Sequence, residues 1–511
     1  MVVLLVTGLA LALRLYQLTR PGYLLGVTEY DDAVDLGVAV RLVHGVLPYH
    51  DFVLVQPPGI ALLMAPIALL AKITGMSSGI AVARILTACV GAASVTLAGL
   101  LVRHRGVLVT TLTCGLLAVY PASLEAAHTV LLEPWTVLFC LIGALVIFDG
   151  DQLTTSTKRL AWGGVAFGFG GAVKVWAGLP VLVILVISWP RLPRRRWLAY
   201  PGGVAAGFGA PVLPFFALAP GAFFHSVVSV QLSRIDLGRV REWLRLVSLT
   251  GLSDVPSVTR VAALGAAAVI VGFVVLCVVG AWRRTGRPPP DLERFAIGAA
   301  AVILAAFLWP ADYSPHYAAF FVPFLAMSIA LPAGRFVAGP SESRARSGRS
   351  GATLLAGSLT ALAVIGLAGM AFIEGRHLTK IAAGNPAAAA QRQIPAGACV
   401  VTDLTALTLV SDRFTSSVPG CSPMIDPIGT DYDLSGGRNG VSGAARVPAV
   451  QRFWANAFRH AQYVWLTCTP AGSPRCQTTN RRIPWTPALL AYFKSHFKAV
   501  HHGGLFKREK P

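Results

Sequence analysis

Long apolar segments separated by short basic loops are the feature that most limits what this chain can fold into. Residues 79–102, 259–282 and 352–373 are each long and apolar enough for a helix to cross the hydrocarbon core of a bilayer. The whole sequence is 55% hydrophobic and only 13% charged, a composition that no soluble domain needs. The sequence therefore predicts a mostly α-helical, polytopic protein of the cell membrane.

The basic residues indicate how the predicted helices are oriented. Lys and Arg number 43 against 23 Asp and Glu, which gives a formal net charge of +20. In a soluble protein this excess would suggest nucleic-acid binding. Here most of the basic residues stand in short runs between apolar segments, as in 191–196 and 335–349, and the positive-inside rule places such runs in the cytoplasm. We therefore expect membrane lipids, and no nucleic acid, as partners.

The apolar segments add up to about eleven predicted spans, with the N-terminus in the cytoplasm. One region, residues 160–190, has Lys174 near its centre and is interpreted as two short helices that turn at the outer face. The predicted spans are residues 1–19, 79–102, 106–121, 129–148, the pair within 160–190, 198–219, 259–282, 293–310, 316–333 and 352–373.

This orientation places the unusual polar segments on one face of the membrane. With the basic loops inside, the first outer loop (residues 22–59), Lys174, the segment 221–257 and the turn 311–316 all fall outside. Everything after Glu374 falls outside as well. A functional site at the outer membrane surface is therefore expected.

The composition changes near residue 380, where Thr, Asp, Asn, Pro and Gly mix with short apolar runs. We predict a membrane domain over residues 1–375 and an extracytoplasmic α/β domain over residues 380–511. In the second domain, residues 399–410 and 462–468 are interpreted as buried strands, and residues 487–500 as an amphipathic helix.

Cysteines and tryptophans of the C-terminal region leave alternatives open. Four cysteines allow three pairings, and the most local are Cys399 with Cys421 and Cys468 with Cys476; four unpaired thiols are the alternative. An oxidising exterior favours the disulfides. The tryptophans either bind a sugar acceptor with their aromatic faces or form a structural core; they are Trp454, Trp465 and Trp485.

The first outer loop concentrates carboxylates directly after the first predicted span. Asp31 and Asp32 follow Tyr30, and adjacent carboxylates near a low-dielectric surface can act as a general base or bind a metal. A divalent metal ion is therefore a candidate cofactor. The alternative is a solvated acidic loop. Gln56-Pro57-Pro58-Gly59 stiffens the return to the membrane, and a rigidly held loop is what a catalytic site requires.

Other ionisable residues mark the outer ends of later helices. Glu133 lies inside an apolar run, where an ionisable side chain is by default functional, and His128 lies just before it. Lys174 is suited to bind an anionic head group as a point charge. The alternative for Glu133 and Lys174 is a salt bridge between helices, with each other.

Arginines and a histidine outside the membrane add phosphate-binding chemistry. Arg234, together with Gln231, lies in a segment where several arginines oppose the positive-inside trend; such arginines bind either a phosphate or anionic lipid head groups. His316, followed by Tyr317, either binds phosphate or only caps a helix. No P-loop, zinc motif or nucleophile elbow occurs, so the energy for a reaction comes with the substrate or from a gradient.

The motifs of the first outer loop resemble those of the GT-C membrane glycosyltransferases. The likeness is greatest to bacterial relatives of the protein O-mannosyltransferases and of the lipid A aminoarabinose transferase, and it extends through Glu133, Lys174 and the segment Tyr313 to Pro323. The residues that carry it are Tyr30-Asp31-Asp32, Leu42, Gly45, Pro48-Tyr49, Asp51-Phe52 and Gln56-Pro57-Pro58-Gly59.

This resemblance implies an inverting glycosyltransferase that uses a polyprenyl-phosphate sugar on the outer leaflet. Asp31 corresponds to the general base that deprotonates the acceptor hydroxyl, and Asp32 and Glu133 position that base or the acceptor. Lys174 and His316 hold the donor phosphate, with help from Arg234. This chain differs from the family pattern in having Asp32 where relatives have Glu, and His316 where they often have Arg.

Substrate class and rival functions complete the hypothesis. The implied acceptor is a cell-envelope glycan, lipid or protein, and the implied sugar is a hexose or pentose, mannose and arabinose included. A secondary transporter or flippase is the first alternative, but such proteins usually have two related halves and the sequence has no internal repeat. A non-catalytic scaffold is the second, and it would tolerate Asp31→Asn.

Overall fold

Helices dominate the computed structural model, which describes residues 1–234, 240–309, 313–338, 350–438, 442–467, 482–501 and 504–509. In chain order the helices are α1 (Val2–Leu18), α2 (Asp31–Val43), α3 (Gly59–Thr74), α4 (Met76–Val102), α5 (Val107–Val119), α6 (Pro121–Ala127), α7 (Leu132–Ile147), α8 (Thr157–Val173), α9 (Gly178–Ser188), α10 (Arg194–Trp197), α11 (Ala199–Leu218), α12 (Pro220–Phe224), α13 (Val230–Ser233), α14 (Glu242–Leu249), α15 (Arg260–Thr285), α16 (Asp291–Leu308), α17 (Ala318–Ala338), α18 (Ser350–Leu378), α19 (Ala387–Gln393), α20 (Thr405–Val410), α21 (Pro427–Ser435), α22 (Pro448–His460) and α23 (Pro487–His496).

Several helices are long and apolar enough to span a membrane. By length and composition, five pass in the described part of the chain, and six if α5 and α6, which meet at an angle of 55°, form one bent span. They are Met76–Arg105, Arg194–Leu218, Arg260–Thr285, Pro315–Ala338 and Ala356–Leu378, and shorter apolar helices are Val2–Leu18, Gly59–Thr74, Leu132–Ile147 and Val175–Ser188. The expectation of a mostly helical protein with apolar helices is confirmed, whereas the count of eleven spans stays a prediction.

The chain divides into two compact units, neither of which is continuous in sequence. Unit 1 comprises Met1–Leu18, Ile85–Ala210 and Val240–Ile381. Unit 2 comprises Thr19–Arg84, Pro211–Arg239 and Ala382–Pro511. The residues of the first outer loop therefore belong to the same compact unit as the C-terminal region. The domain boundaries at residues 375 and 380 stay a prediction.

Close helix packing in unit 1 depends on glycines of α8. A Cβ added to Gly164 would lie 2.3 Å from the carbonyl oxygen of Tyr200, and one added to Gly168 would lie 2.1 Å from that of Val204. Only glycine lets the α8 and α11 backbones approach this closely, as is common between membrane helices. Because α8 ends at Val173, this packing places Lys174, its C-terminal cap, at the end of a tightly held helix.

A mixed four-stranded sheet lies in the described part of unit 2. Its strands, in spatial order, are Val400–Thr402, Tyr463–Trp465, Leu505–Arg508 and Phe497–His501. The first two are parallel and the other neighbours are antiparallel. Helices α22 and α23 contribute the apolar side chains that pack on this sheet.

Two predicted boundaries in this region were wrong. The strand predicted over 399–410 ends at Thr402, because the Thr402 hydroxyl accepts a hydrogen bond from the Leu404 amide and turns the chain into α20. The helix predicted over 487–500 ends at His496, and the residues that follow pair with the strand Leu505–Arg508. Pairing with the neighbouring strand therefore determines the conformation of Phe497–His501, although the sequence has helical periodicity as far as residue 500.

The tryptophans and cysteines of the C-terminal region have defined places. Trp454 and Trp465 are buried, and Trp485 packs against Phe458, so the core interpretation accounts for all three. Cys399 and Cys421 form a disulfide with their Cα atoms 5.6 Å apart. Cys468 and Cys476 lie outside the described residues.

The disulfide predicts a measurable stabilisation. Replacing Cys399 with Ser should lower the free energy of unfolding by about 3 kcal/mol, because a cross-link over a separation of 22 residues restricts the unfolded chain. Denaturant unfolding of purified protein in detergent measures this difference. Cys89→Ser removes an exposed free thiol and should leave the unfolding midpoint unchanged. Equal midpoints for all three proteins would contradict the prediction.

Candidate active site

Asp31 and Asp32 form the first turn of α2, directly after its N-terminal cap residue Tyr30. Carboxylates are favourable there because the helix macrodipole places partial positive charge at the N-terminus. Asp31 is half-buried, whereas the side chain of Asp32 is fully buried. The two predicted acids therefore have different surroundings, and only Asp31 presents accessible surface.

Arg84 accounts for the burial of Asp32. Its Nε donates to Asp32 Oδ2 at 3.1 Å, and its Nη2 donates to the same oxygen. The remaining donor, Nη1, reaches the carbonyl oxygens of Tyr23 at 2.8 Å and of Leu24 and Gly26 at 3.0 Å. Arg84 thus holds both the start of α2 and the chain that leads to it. Asp32 is thereby connected through Arg84 to the chain that precedes α2.

The candidate metal at Asp31 and Asp32 does not fit this arrangement. The buried Asp32 carboxylate is paired with a guanidinium, which competes with a cation for the same oxygen. Among the described residues, no group of three or more His, Cys, Asp and Glu side chains is arranged to hold a metal ion. We therefore derive no chemical step through a metal.

Tyr30 is fixed by a residue almost four hundred positions away in the sequence. Its hydroxyl donates to Asp426 Oδ1 at 2.7 Å and accepts from the Ile428 amide at 3.0 Å. Burial and the neighbouring Asp426 carboxylate raise the pKa of Tyr30 well above its usual value. Burial also raises the pKa of Asp426. Asp31 therefore stands between two residues, Tyr30 and Asp32, that are both held by polar contacts.

Gln231 and Arg234 follow a single π-helical turn, His225–Ser229, in the same unit. Gln231 donates from Nε2 to the carbonyl oxygen of Val55 in the first outer loop. The guanidinium carbon of Arg234 lies 4.6 Å from the centre of the Tyr432 ring. Arg239, another arginine of this segment, lies outside the described residues.

Glu133 and Lys174 form a buried ion pair in unit 1, which was the alternative left open for both residues. Lys174 Nζ donates to Glu133 Oε1 at 2.6 Å, and the two side chains are 6% and 1% exposed. Glu133 lies in the first turn of α7, and Lys174 caps the end of α8. A charge buried at this depth requires such a partner, since leaving one charge unpaired costs several kcal/mol.

Aromatic rings complete the surroundings of Lys174. Its Nζ lies 3.7 Å from the centre of the Trp176 ring and 4.4 Å from that of Tyr317, both within the range of cation–π contacts. His316 is buried, with Nε2 3.9 Å from Glu133 Oε1. The structure thus brings together Glu133, Lys174, His316 and Tyr317. His128, the C-terminal cap of α6, is also buried in unit 1.

Arg245 is another arginine of the segment 221–257, in which arginines were expected to bind a phosphate or lipid head groups, but its contacts are within the protein. It is fully buried, and it donates to the carbonyl oxygens of Val240 at 2.9 Å and Phe307 at 2.8 Å. Its guanidinium lies 5.5 Å from the ring centre of Tyr313, whose hydroxyl is 2.7 Å from the hydroxyl of Ser248. These contacts fix α14 to the residue Val240 before it, to α16 and to Tyr313.

An apolar cleft of about 460 Å³ lies among α14, α15, α16 and α17 of unit 1. Leu246, Leu249 and Thr250 line it from α14 and the residue that follows. The neighbouring residues of the same helix, Arg245 and Ser248, carry the polar contacts to Tyr313. One short helix therefore separates an apolar cleft from a polar, aromatic cluster.

The sequence pointed to some residues of these clusters and missed others. Arg84 was missed, although an arginine within the predicted span 79–102 is itself a signal of function or pairing. Trp176 and Asp426 were missed because nothing local marks them. Among the predicted site residues, unit 1 holds His128, Glu133, Lys174, His316 and Tyr317, and unit 2 holds Asp31, Asp32, Gln231 and Arg234.

Two comparisons of this chain by sequence find no match. No protein-family model matches it, and no curated protein matches it either.

Comparison by structure finds two kinds of neighbour. ArnT from Cupriavidus metallidurans, a lipid A aminoarabinose transferase solved bound to undecaprenyl phosphate, has a TM-score of 0.59 and 15% identity, over 99% of this chain and 97% of ArnT. The Archaeoglobus fulgidus oligosaccharyltransferase, solved tethered with an acceptor peptide, has a TM-score of 0.53 and 12% identity, over 99% of this chain and 74% of the enzyme. Both neighbours are GT-C glycosyltransferases, so this chain has the GT-C membrane glycosyltransferase fold along nearly its whole length.

Proposed function

We propose that this protein is an inverting glycosyltransferase that moves a sugar from a polyprenyl-phosphate donor to a cell-envelope glycan, lipid or protein. The observation that carries the proposal is the fold shared with ArnT, which was solved with undecaprenyl phosphate bound, over 99% of this chain. The reaction takes place at the outer face of the membrane, with the N-terminus in the cytoplasm. The sugar is a hexose or a pentose.

The proposed reaction needs one base and a means of stabilising the leaving phosphate. Asp31 accepts the proton of the acceptor hydroxyl while the hydroxyl oxygen attacks the anomeric carbon of the donor. The bond from that carbon to the phosphate oxygen breaks, and polyprenyl phosphate leaves with the electron pair. Asp31 suits this role because it is the accessible carboxylate of the Asp31–Asp32 pair and stands between the fixed Tyr30 and Asp32.

Positive charge for the donor phosphate comes from the basic side chains in our proposal. Arg234 presents a planar guanidinium suited to bind a phosphate through two hydrogen bonds. Lys174 carries three N–H donors, and one of them is used by Glu133. Glu133 then holds Lys174 in position while His316 and Tyr317 complete the polar surroundings. His128 and Gln231 have supporting roles in substrate binding.

The apolar cleft of unit 1 supports a lipid-linked donor. Its lining is almost wholly hydrocarbon, contributed by helices long enough to span a membrane such as α15 and α17. An isoprenoid chain gains free energy there by burying apolar surface. Helix α14 gives the cleft a polar border through Arg245 and Ser248.

Asp31→Asn tests the base directly. With radiolabelled polyprenyl-phosphate sugars, mannose and arabinose among them, wild-type protein should transfer one sugar to envelope extracts. The variant should lose at least about 100-fold of that rate, the usual contribution of a general base, while donor binding persists. Asp51→Asn is the matched control, because its carboxylate makes local contacts only: it accepts from the Leu47 amide, and its other oxygen contacts the imidazole of His50. Donor binding without turnover in wild-type protein would favour the transporter or flippase, and full activity of Asp31→Asn would exclude the proposed base.

The Glu133–Lys174 pair allows structural and functional roles to be separated. Lys174→Met alone should destabilise the protein by about 3–5 kcal/mol, because it leaves the Glu133 carboxylate buried without its cation. The double variant with Glu133→Gln should recover most of that stability but should not recover donor binding. Unfolding midpoints and donor affinity are measured on the same samples. Recovery of donor affinity in the double variant would show that Lys174 acts only as a structural partner.

Metal removal tests the assignment of Asp32 as a structural residue. Since Arg84 occupies the Asp32 carboxylate, transfer should proceed at the same rate after treatment with EDTA and dialysis. The rate is compared with that of untreated protein and of protein given back Mg²⁺ or Mn²⁺. Loss of activity that either cation restores would contradict this prediction and return Asp31 and Asp32 to the metal-ligand hypothesis.

A further inference from the structure

Helix α21 (Pro427–Ser435) contacts two separate segments that carry predicted site residues in unit 2. Its N-terminal end contacts Tyr30, next to Asp31, and its last turn contacts the segment 225–234, which ends in Arg234. Both contacts are made by polar or aromatic side chains that the sequence alone did not connect.

The first contact is built around Asp426, the N-terminal cap of α21. Asp426 Oδ1 accepts both from the Tyr30 hydroxyl, at 2.7 Å, and from the Gly429 amide, at 2.7 Å. The Ile428 amide in turn donates to the Tyr30 hydroxyl at 3.0 Å. One carboxylate oxygen therefore starts the helix and holds the residue that precedes Asp31.

The second contact is made by consecutive residues near the end of α21. The ring of Tyr432 lies under the guanidinium of Arg234, with 4.6 Å from its centre to the guanidinium carbon. Asp433 Oδ1 accepts from the Ser226 hydroxyl at 2.6 Å, and the Asp433 carbonyl oxygen is 2.9 Å from His225 Nε2. The segment 225–234 is thus attached to α21 near its start and at its end.

Backbone geometry at Gly437 brings this segment still closer. Gly437 has a φ of +101°, and an added Cβ would lie 2.3 Å from the carbonyl oxygen of Ser233. Only glycine allows both the conformation and the approach. The chain leaving α21 therefore packs directly against the residue before Arg234.

A rigid helix converts these two contacts into a fixed separation. Asp426 and Tyr432 are six residues apart, and a helix rises about 1.5 Å per residue, so their positions differ by about 9 Å along the axis. Tyr30 and Arg234 are held at the two positions. Burying polar side chains to do so costs free energy unless each is paired, and these contacts supply the pairs.

We propose that α21 is a positioning element that sets the separation between Asp31 and Arg234 through Tyr30–Asp426 at one end and Tyr432–Asp433 at the other. This inference rests on the proposed function, and it assigns the C-terminal region a part in the reaction. The residues of α21 and Tyr30 act through Asp31 and Arg234, so they are positioning residues.

Variants at the two ends of α21 should change different steady-state constants, and those at the N-terminal end should change kcat. Tyr30→Phe removes one hydroxyl, and Asp426→Ala removes its acceptor; each should lower kcat by about 10- to 100-fold, since a small misplacement of a reacting group has effects of this size. The donor KM should change less than about threefold. Asp426→Asn keeps an oxygen that can accept both hydrogen bonds and should restore most of kcat.

Variants at the other end should affect donor binding first. Tyr432→Leu removes the ring under Arg234, and Ser226→Ala removes the donor to Asp433. Both should raise the donor KM by about tenfold and change kcat less. Asp431→Asn is the matched control on the same helix, because Asp431 accepts instead from the Trp454 indole at 2.8 Å, within the core. It should leave both constants near those of the wild type.

The outcomes separate this inference from the proposed function. Absence of transfer by wild-type protein with every donor would contradict the proposed function itself. Transfer by wild-type protein together with unchanged kcat in Tyr30→Phe would overturn only the positioning role. The inference would also be overturned if variants at both ends of α21 lowered kcat and raised the donor KM together, with lower unfolding midpoints. That pattern indicates general destabilisation.

Discussion

The cost of burying charge is the constraint on which two groups of residues depend: those around Arg84 in unit 2 and those around Lys174 in unit 1. Arg84 is fully buried, and its donors reach Asp32 and three backbone carbonyl oxygens. A guanidinium in such surroundings must have its hydrogen bonds made, because an unpaired charge there costs several kcal/mol. Satisfying Arg84 therefore fixes the conformation of the loop before α2. The position of Asp31 follows from that of its neighbour Asp32.

Unit 1 meets the same constraint with a different set of groups. The ammonium of Lys174 has one carboxylate and two aromatic faces around it, contributed by Glu133, Trp176 and Tyr317. Aromatic faces stabilise a cation without adding a second negative charge. The buried side chain of Lys174 therefore has three partners that each suit a cation. Close packing at Gly164 and Gly168 holds the helix that ends beside it.

Neighbouring carboxylates have unlike environments here, and this difference decides which of them the proposed mechanism uses as the base. Asp31 and Asp32 are adjacent, yet one is half-buried and the other is enclosed by Arg84. Asp426 is buried, and its pKa is raised by that burial. Chemistry at one carboxylate is therefore compatible with structural roles for the others. An α-helix makes this possible by pointing successive side chains in different directions.

The sequence by itself determined the membrane class and the polar segments that bear charge, because apolar length, basic loops and acidic clusters are local properties, and the resemblance of its loop motifs to those of GT-C glycosyltransferases implied the fold. It left two functions open for Glu133 and Lys174, and it connected neither Arg84 with Asp32 nor Asp426 with Tyr30. Those pairings depend on which buried groups satisfy one another across as many as 396 residues. Strand and helix ends near Thr402 and His496 likewise followed tertiary contacts. Only the tertiary structure decides such pairings, because burial and hydrogen bonding are properties of the packed chain.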